Sequence, residues 1–458
     1  MRNVRFNPGF NAKRLLSWRF SILWLAAAAL ASATPAAQAL PSYARQTGQE
    51  CAACHNGFPE LTPYGRLFKL NGYTFSTGKS DLPPLSVMLI PSFTRTEQDQ
   101  PGANPHLGPN NNFIFQTGSL FYGGAITSNV GAFIQATYDN VPRRIHWDNT
   151  DIRFAQSTTI GGNETIFGLT VNNNPTVTDV WNSTFAWSYP FLATAVSPVT
   201  GPAVTGTLIE GGFAQQVVGT TAYAYWNRLV YFEFGGYGTL TRNMQTTLGI
   251  DPTGTSSAKG IMPYWRLAVE PKWGRHSLEA GTFGLAATLN PGRVTGFGND
   301  HVTDVGFDSQ YQFLGDRDAV STQVSYVLEN QNLSSSVAQG LATNSNDHLR
   351  SLRVKASYWL DQTYGATLAY FNINGTSDPL LYGAVSAANS PHTDGWIAEL
   401  DYVPFAHGGP SFWPWANVKL GVQYTWYNKI NGGSDNFDGA GHNASGNNTL
   451  FAFAWIAF

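Results

Sequence analysis

From residue 84 onward, apolar and polar side chains alternate. In 416–426 the even positions read Ala416, Val418, Leu420, Val422, Tyr424 and Trp426, and the odd ones Asn417, Lys419, Gly421, Gln423 and Thr425. In 363–370 one face is Tyr364, Ala366, Leu368 and Tyr370, and the other Thr363, Gly365, Thr367 and Ala369. In 304–313 Val305, Phe307, Tyr311 and Phe313 oppose Asp304, Gly306, Asp308, Gln310 and Gln312. A period of two over about ten residues, with aromatics near the ends, predicts two-faced strands of membrane-crossing length. A soluble β-sandwich would alternate as well.

The connections favour a membrane barrel. Short turns fall near 123–129, 159–163, 226–228, 273–275, 314–317, 360–363 and 405–415. Longer stretches rich in Gly, Asn, Ser and Thr fall near 97–110, 139–147, 173–212, 239–260, 287–300, 331–347, 374–392 and 430–447. These join about 16 antiparallel strands, an even number with short turns on one side. The expected fold class is therefore all-β: an outer-membrane β-barrel over 84–458, with a small helical segment ahead of it. The chain closes on LFAFAWIAF, which resembles the C-terminal signature of outer-membrane barrels. The inward face is expected to carry Glu233, Arg266, Glu270, Asp304, Asp308, Arg353, Lys355 and Lys419.

Before residue 84 the pattern differs. Arg2, Arg5, Lys13, Arg14 and Arg19 precede an apolar core, Phe20 to Ser32, and Ala37-Gln38-Ala39 fits a cleavage site. Residues 1–39 thus read as a secretory signal peptide, too short to span a bilayer comfortably. Its loss would remove five of 26 basic residues and no acidic ones, leaving 21 against 29, or −8. That surface could attract cations or simply keep the chain soluble, and nothing suggests a nucleic-acid partner. With 12% charged and 43% hydrophobic residues, the chain is neither disordered nor a bundle of membrane helices.

Residues 40–83 carry both cysteines of the chain, in Cys51-Ala-Ala-Cys54-His55. This spacing fits covalent attachment of one haem c, with two thioethers on one porphyrin edge and His55 as axial iron ligand. A disulfide would not need His55. A thioredoxin-type pair wants a βαβ context, and zinc needs more ligands than the flanks offer. Thr62-Pro63 reads as N-cap and first helical position, Asn71-Gly72 as a stop. Phe58, Leu61, Tyr64, Leu67 and Phe68 then form an apolar stripe. The segment has no second histidine and no methionine, so the sixth iron position stays open. Met88 or His106 could fill it from outside, as could water, nothing, a tyrosine or a lysine. About 45 residues are too few for an independent core, so the segment should lean on the barrel, either below its mouth or inside the lumen. The remaining histidines read as surface or rim residues. The sequence has no hydrolase nucleophile set and no HExxH motif, so no catalytic residue is assigned.

Signal, ARQTGQECAACHNGFPELTPYGRLFKLNGYTF (44–75) and barrel together resemble the fused monohaem cytochrome–porins, best known as outer-membrane iron oxidases of Fe(II)-oxidising bacteria. Residues 44–75 carry the specific part of that resemblance. It implies haem c on Cys51 and Cys54, with iron on His55. It also implies electron uptake from an extracellular donor such as Fe(II), and delivery to periplasmic c-type cytochromes or other soluble carriers. Whether that makes the chain an Fe(II):cytochrome c oxidoreductase does not follow from the residues. Two other functions stay open: a porin for passive diffusion whose haem segment plugs or regulates the pore, and a haem sensor or peroxidase-like protein. In porins a long third loop often folds inward. Loop 173–212, with Trp181, Phe185, Trp187, Tyr189 and Phe191, is then either a constriction or haem contact, or an extracellular loop with an apolar patch.

Overall fold

The computed structural model describes residues 40–78, 82–99, 106–184, 190–196, 206–250, 256–411 and 415–458. The expected signal peptide lies outside the described residues. So do Phe185, Trp187 and Tyr189 of the third loop.

Sixteen antiparallel strands form a closed β-barrel. They are β1 (Leu85–Thr96), β2 (Asn112–Ala125), β3 (Val130–Asp139), β4 (Arg144–Ile160), β5 (Asn163–Asn172), β6 (Val217–Trp226), β7 (Val230–Thr239) and β8 (Met262–Val269). Short pieces at Ser257–Ala258 and Lys272–Trp273 extend β8 at its two ends. There follow β9 (His276–Asn290), β10 (Asp300–Leu314), β11 (Asp318–Asn332), β12 (Asn346–Leu360), β13 (Tyr364–Gly375), β14 (Thr393–Tyr402), β15 (Asn417–Lys429) and β16 (Thr449–Ala457). Each pairs with the next, and β1 pairs with both β2 and β16, so no strand edge is left over.

Alternation decides which face is which. In β7, Phe232 and Phe234 are 51% and 54% exposed while Glu233 between them is 0% exposed. In β15, Asn417, Lys419, Gly421, Gln423 and Thr425 are buried, whereas Leu420 and Val422 are exposed. The apolar side therefore faces outward, the reverse of a soluble barrel. Aromatics ring both rims: Tyr364 stacks on Tyr402 (5.2 Å) beside the short turns, and Tyr370, Trp396 and Trp426 cluster (4.9 and 6.3 Å) toward the loops. On the short-turn rim, Gly161 and Gly162 (φ 61° and 81°) make a two-residue turn, which needs the left-handed region at both positions.

Three short helices precede the barrel: α1 (Pro41–Thr47), α2 (Cys51–Cys54) and α3 (Pro63–Leu70). Thr62 caps α3 by accepting the Gly65 N–H at 3.2 Å, with Pro63 in the first turn, and Gly72 beyond its end has φ 69°. The stripe expected from Phe58 to Phe68 is not one helix face. Pro59 and Pro63 keep the helix from starting earlier, so Phe58 and Leu61 belong to the preceding loop, and Tyr64 is exposed.

The segment lies within the ring of strands. Its partners come from all round the wall: Ser86 on β1, Ala132 on β3, Asp151 on β4, Gln312 on β10 and Lys355 on β12. Most sit toward the short-turn rim, where Ala52 N–H also donates to Ala406 O in the turn after β14. Described parts of loop 173–212 fold in from the opposite side. Trp181 is fully buried, edge-on to Tyr231 (5.2 Å) and under the Arg266 guanidinium (4.9 Å). The loop meets the N-terminal segment directly: Lys69 Nζ donates to Val177 O (2.6 Å) and Asp179 O (3.0 Å), and Leu61 N–H to Asn182 Oδ1 (3.0 Å). Of the two expectations for this loop, the described residues take the inward one.

Candidate functional site

Cys51 and Cys54 sit one turn apart on α2, both buried and without a disulfide. Burial pushes the Cys54 thiol up to about 12. A thiol held that firmly protonated does not suit a thiol–disulfide redox couple, which works through thiolate. α3 is pressed against α2: a Cβ at Gly65 would stand 2.2 Å from Cys54 O, so only glycine fits there.

His55 follows α2 in extended conformation, and burial lowers its pKa to about 4, so the ring is neutral. Its Nδ1 lies 2.8 Å from Pro59 O. A proton on Nδ1 donated to that carbonyl leaves Nε2 with its lone pair, as in histidines that bind metals. Phe58 packs edge-on to His55 (5.3 Å) and to Trp455 of β16 (5.0 Å).

These residues border one cavity. Its volume is about 150 Å³, and its lining is almost entirely apolar. Cys54, His55, Phe58, Leu61 and Phe68 line it from the segment; Met88, Phe121, Phe133 and Trp455 from the wall; Val177 and Asn182 from the third loop. Cys51 packs with Cys54 and borders a small neighbouring pocket with Val403 and Ala406 of the β14–β15 turn. The donor set and the apolar walls fit a covalently attached haem: two thiols on one helical turn, a neutral imidazole oriented by a carbonyl, and apolar side chains beside them. Of the two candidates for the sixth ligand, Met88 lines this cavity. His106 is exposed in the loop after β1 and does not.

Apart from Met88, the wall contribution was missed in the sequence, and a signal for it exists. Most strands carry polar residues inward. β16, β1, β2 and β3, which are neighbours across the closure, carry apolar residues on both faces: Met88 and Ile90, Phe121, Phe133, Phe451 and Phe453 point in with Trp455.

Ion pairs fix the segment in place. Arg66 donates to Glu270 (2.5 Å), and also to Gln310 (3.1 Å) and Gln312 (2.9 Å). Lys355 pairs with Glu60, which also accepts from Gln312 Nε2 (2.7 Å). Burial alone would raise the Glu60 carboxyl, but the Lys355 ammonium outweighs it and holds it below the usual range. The inward charges expected from the alternation are all buried or half-buried within the wall: Arg266 pairs with Asp308 and Glu279, Lys419 with Glu399 and Asp401, and Arg353 with Glu210 of the third loop.

A closed barrel with apolar side chains outside and a hydrogen-bonded, charged interior is a transmembrane β-barrel of porin-like architecture. No protein-family profile matches the chain, and no curated protein does. Among solved structures it is similar to the outer membrane channel DcaP of Acinetobacter baumannii, at 12% identity over 83% of this chain and 99% of that one, TM-score 0.44. It is similar to an anion-selective porin from Comamonas acidovorans, at 11% identity over 81% and 98%, TM-score 0.44. It is also similar to a loop-deleted OmpT, an outer membrane protein of Vibrio cholerae, at 11% identity over 82% and 98%, TM-score 0.41.

Proposed function

We propose that the chain is an outer-membrane electron-transfer protein that holds one haem c inside a β-barrel. Fe²⁺ outside the cell would lose one electron to become Fe³⁺, and an oxidised periplasmic c-type cytochrome would gain it. The observation that carries this reading is the placement of Cys54 and His55 on an apolar cavity between the N-terminal segment and the barrel wall. Cys51 and Cys54 would hold the porphyrin and His55 its iron; bound there, haem c supplies one-electron chemistry. Phe58, Phe68, Phe121, Phe133 and Trp455 keep water from the cavity, and the Pro59 carbonyl orients His55. The buried pairs Arg66–Glu270 and Lys355–Glu60 hold the segment against the wall, so the short-turn end of the lumen is filled by protein.

The porin-like architecture favours a second reading, a passive channel gated by the segment. The two separate in one experiment. The full chain is produced in a host that matures c-type cytochromes, and its spectrum is recorded before and after Fe²⁺. Covalent haem that Fe²⁺ reduces supports electron transfer. Solute flux through liposomes, with haem that Fe²⁺ leaves oxidised, supports the channel.

A further inference from the structure

We infer that Met88 of the barrel wall is the sixth iron ligand, so that the haem bridges two parts of the chain: His55 on the segment and Met88 on β1. The inference rests on the haem reading above. Met88 is the one methionine on the cavity, and His55 the one histidine, among the described residues. The other donors on its wall are already committed. Tyr43 OH donates to Ala132 O (2.9 Å), Tyr73 OH to Asp151 Oδ2 (2.6 Å), and Lys69 Nζ to two third-loop carbonyls. Asn182 Oδ1 accepts from Leu61 N–H. Recruiting any of them would uncouple the segment or the loop from its neighbours and leave a buried group unsatisfied. The Met88 thioether carries no proton and makes no hydrogen bond that would have to break. It is a soft donor on a flexible stem, suited to haem iron opposite an imidazole.

Its position is fixed by sheet geometry. Met88 faces inward with Ser86 and Ile90 on either side, held by pairing to Ser119 of β2 and Ala457 of β16. It is buried among Ile90, Phe121, Phe451 and Phe453, an environment that excludes a competing water. The other described methionines are elsewhere. Met244 is exposed on the helix Arg242–Thr247, and Met262 lies in a separate cluster with Tyr237, Tyr264 and Phe283.

The test uses the full chain from a maturation-competent host, as wild type, Met88→Leu, Met88→His and Met262→Leu. Leucine keeps the volume without the sulfur, so barrel folding, read from heat-dependent gel migration, should be unchanged. Wild type and Met262→Leu should both show a low-spin ferric spectrum with a far-red sulfur-to-iron charge-transfer band. Met88→Leu should lose that band, bind CO rapidly once reduced, and show a lower midpoint potential. Met88→His should be low-spin again without the band. A Met88→Leu spectrum like wild type, or a wild type with covalent haem but no sulfur band, overturns the ligand assignment and leaves the haem reading standing. A wild type whose cysteines carry no haem overturns both.

Discussion

Gly65 shows how a single missing methyl group governs the cysteine pair. Its would-be Cβ falls 2.2 Å from the Cys54 carbonyl, a backbone atom that cannot rotate away. Gly65→Ala must therefore part α3 from α2, and overpacking of this kind costs about 1–3 kcal/mol. Most of that would be spent opening the cysteine helix locally. We expect Cys51 and Cys54 of the haem-free protein to be alkylated roughly tenfold faster or more, a factor of ten for each ~1.4 kcal/mol. Gly206→Ala, with nothing within 4 Å of the new methyl, should leave the rate unchanged. Equal rates in Gly65→Ala and wild type would mean that the close approach does not protect the thiols. That the two cysteines and His55 form one short unit was legible in the sequence from their spacing. Its setting was not. The carbonyl of Pro59 against His55 depends on how the chain between two prolines folds back, and residue spacing does not encode that.

The N-terminal segment and the barrel wall are joined by buried ion pairs, and removing one member of such a pair strands the other. In Lys355→Met, Glu60 stays buried with neutral donors such as Gln312 and Asn56 and no cation beside it. Such a loss costs about 3–5 kcal/mol, comparable to what holds a small segment in place. The variant should show frequent open events in planar bilayers and rapid proteolysis within 40–78, while the barrel stays folded. Glu60→Gln combined with Lys355→Met removes both charges and should recover most of the closure. If Lys355→Met stays as closed and as protected as wild type, the pair does not dock the segment. The strands themselves were readable, because a period of two survives wherever one face meets lipid and the other polar groups. The third loop was readable only as a choice. Its stretch with Asn173, Asn174, Thr176 and Asp179, just after Asn172 at the end of β5, has the composition of an exposed loop. Those polar groups are satisfied by one another and by nearby backbone, with Asp179 accepting from the N–H groups of Trp181, Ser183 and Thr184, so the stretch can be buried. Composition does not distinguish polar groups paired with water from polar groups paired with each other.

On the proposed electron-transfer reading, the cavity's position in the barrel would set what can exchange electrons with a haem held there. It lies toward the short-turn rim, walled by β16, β1, β2 and β3, and the apolar belt of such a barrel is about 25 Å tall. On the loop side it is covered by Val177, Asn182 and the buried Trp181, and Ile209 and Leu208 are tied further along to Asp304 (2.6 Å) and Glu329 (2.5 Å). On that reading a donor on the loop side would have to be small enough to pass through the lumen, whereas a carrier on the short-turn side would need only to reach the rim beside α2 and the β14–β15 turn. In proteoliposomes with the loop side outward, aqueous Fe²⁺ should reduce the haem promptly, and a reductant coupled to a large polymer should do so far more slowly. With the short-turn side outward, a reduced soluble cytochrome should exchange electrons readily despite its size. If the polymer-coupled reductant is as fast as Fe²⁺ from the loop side of the full chain, the haem is not screened by the barrel and its loop, and electron uptake does not depend on entry through the pore.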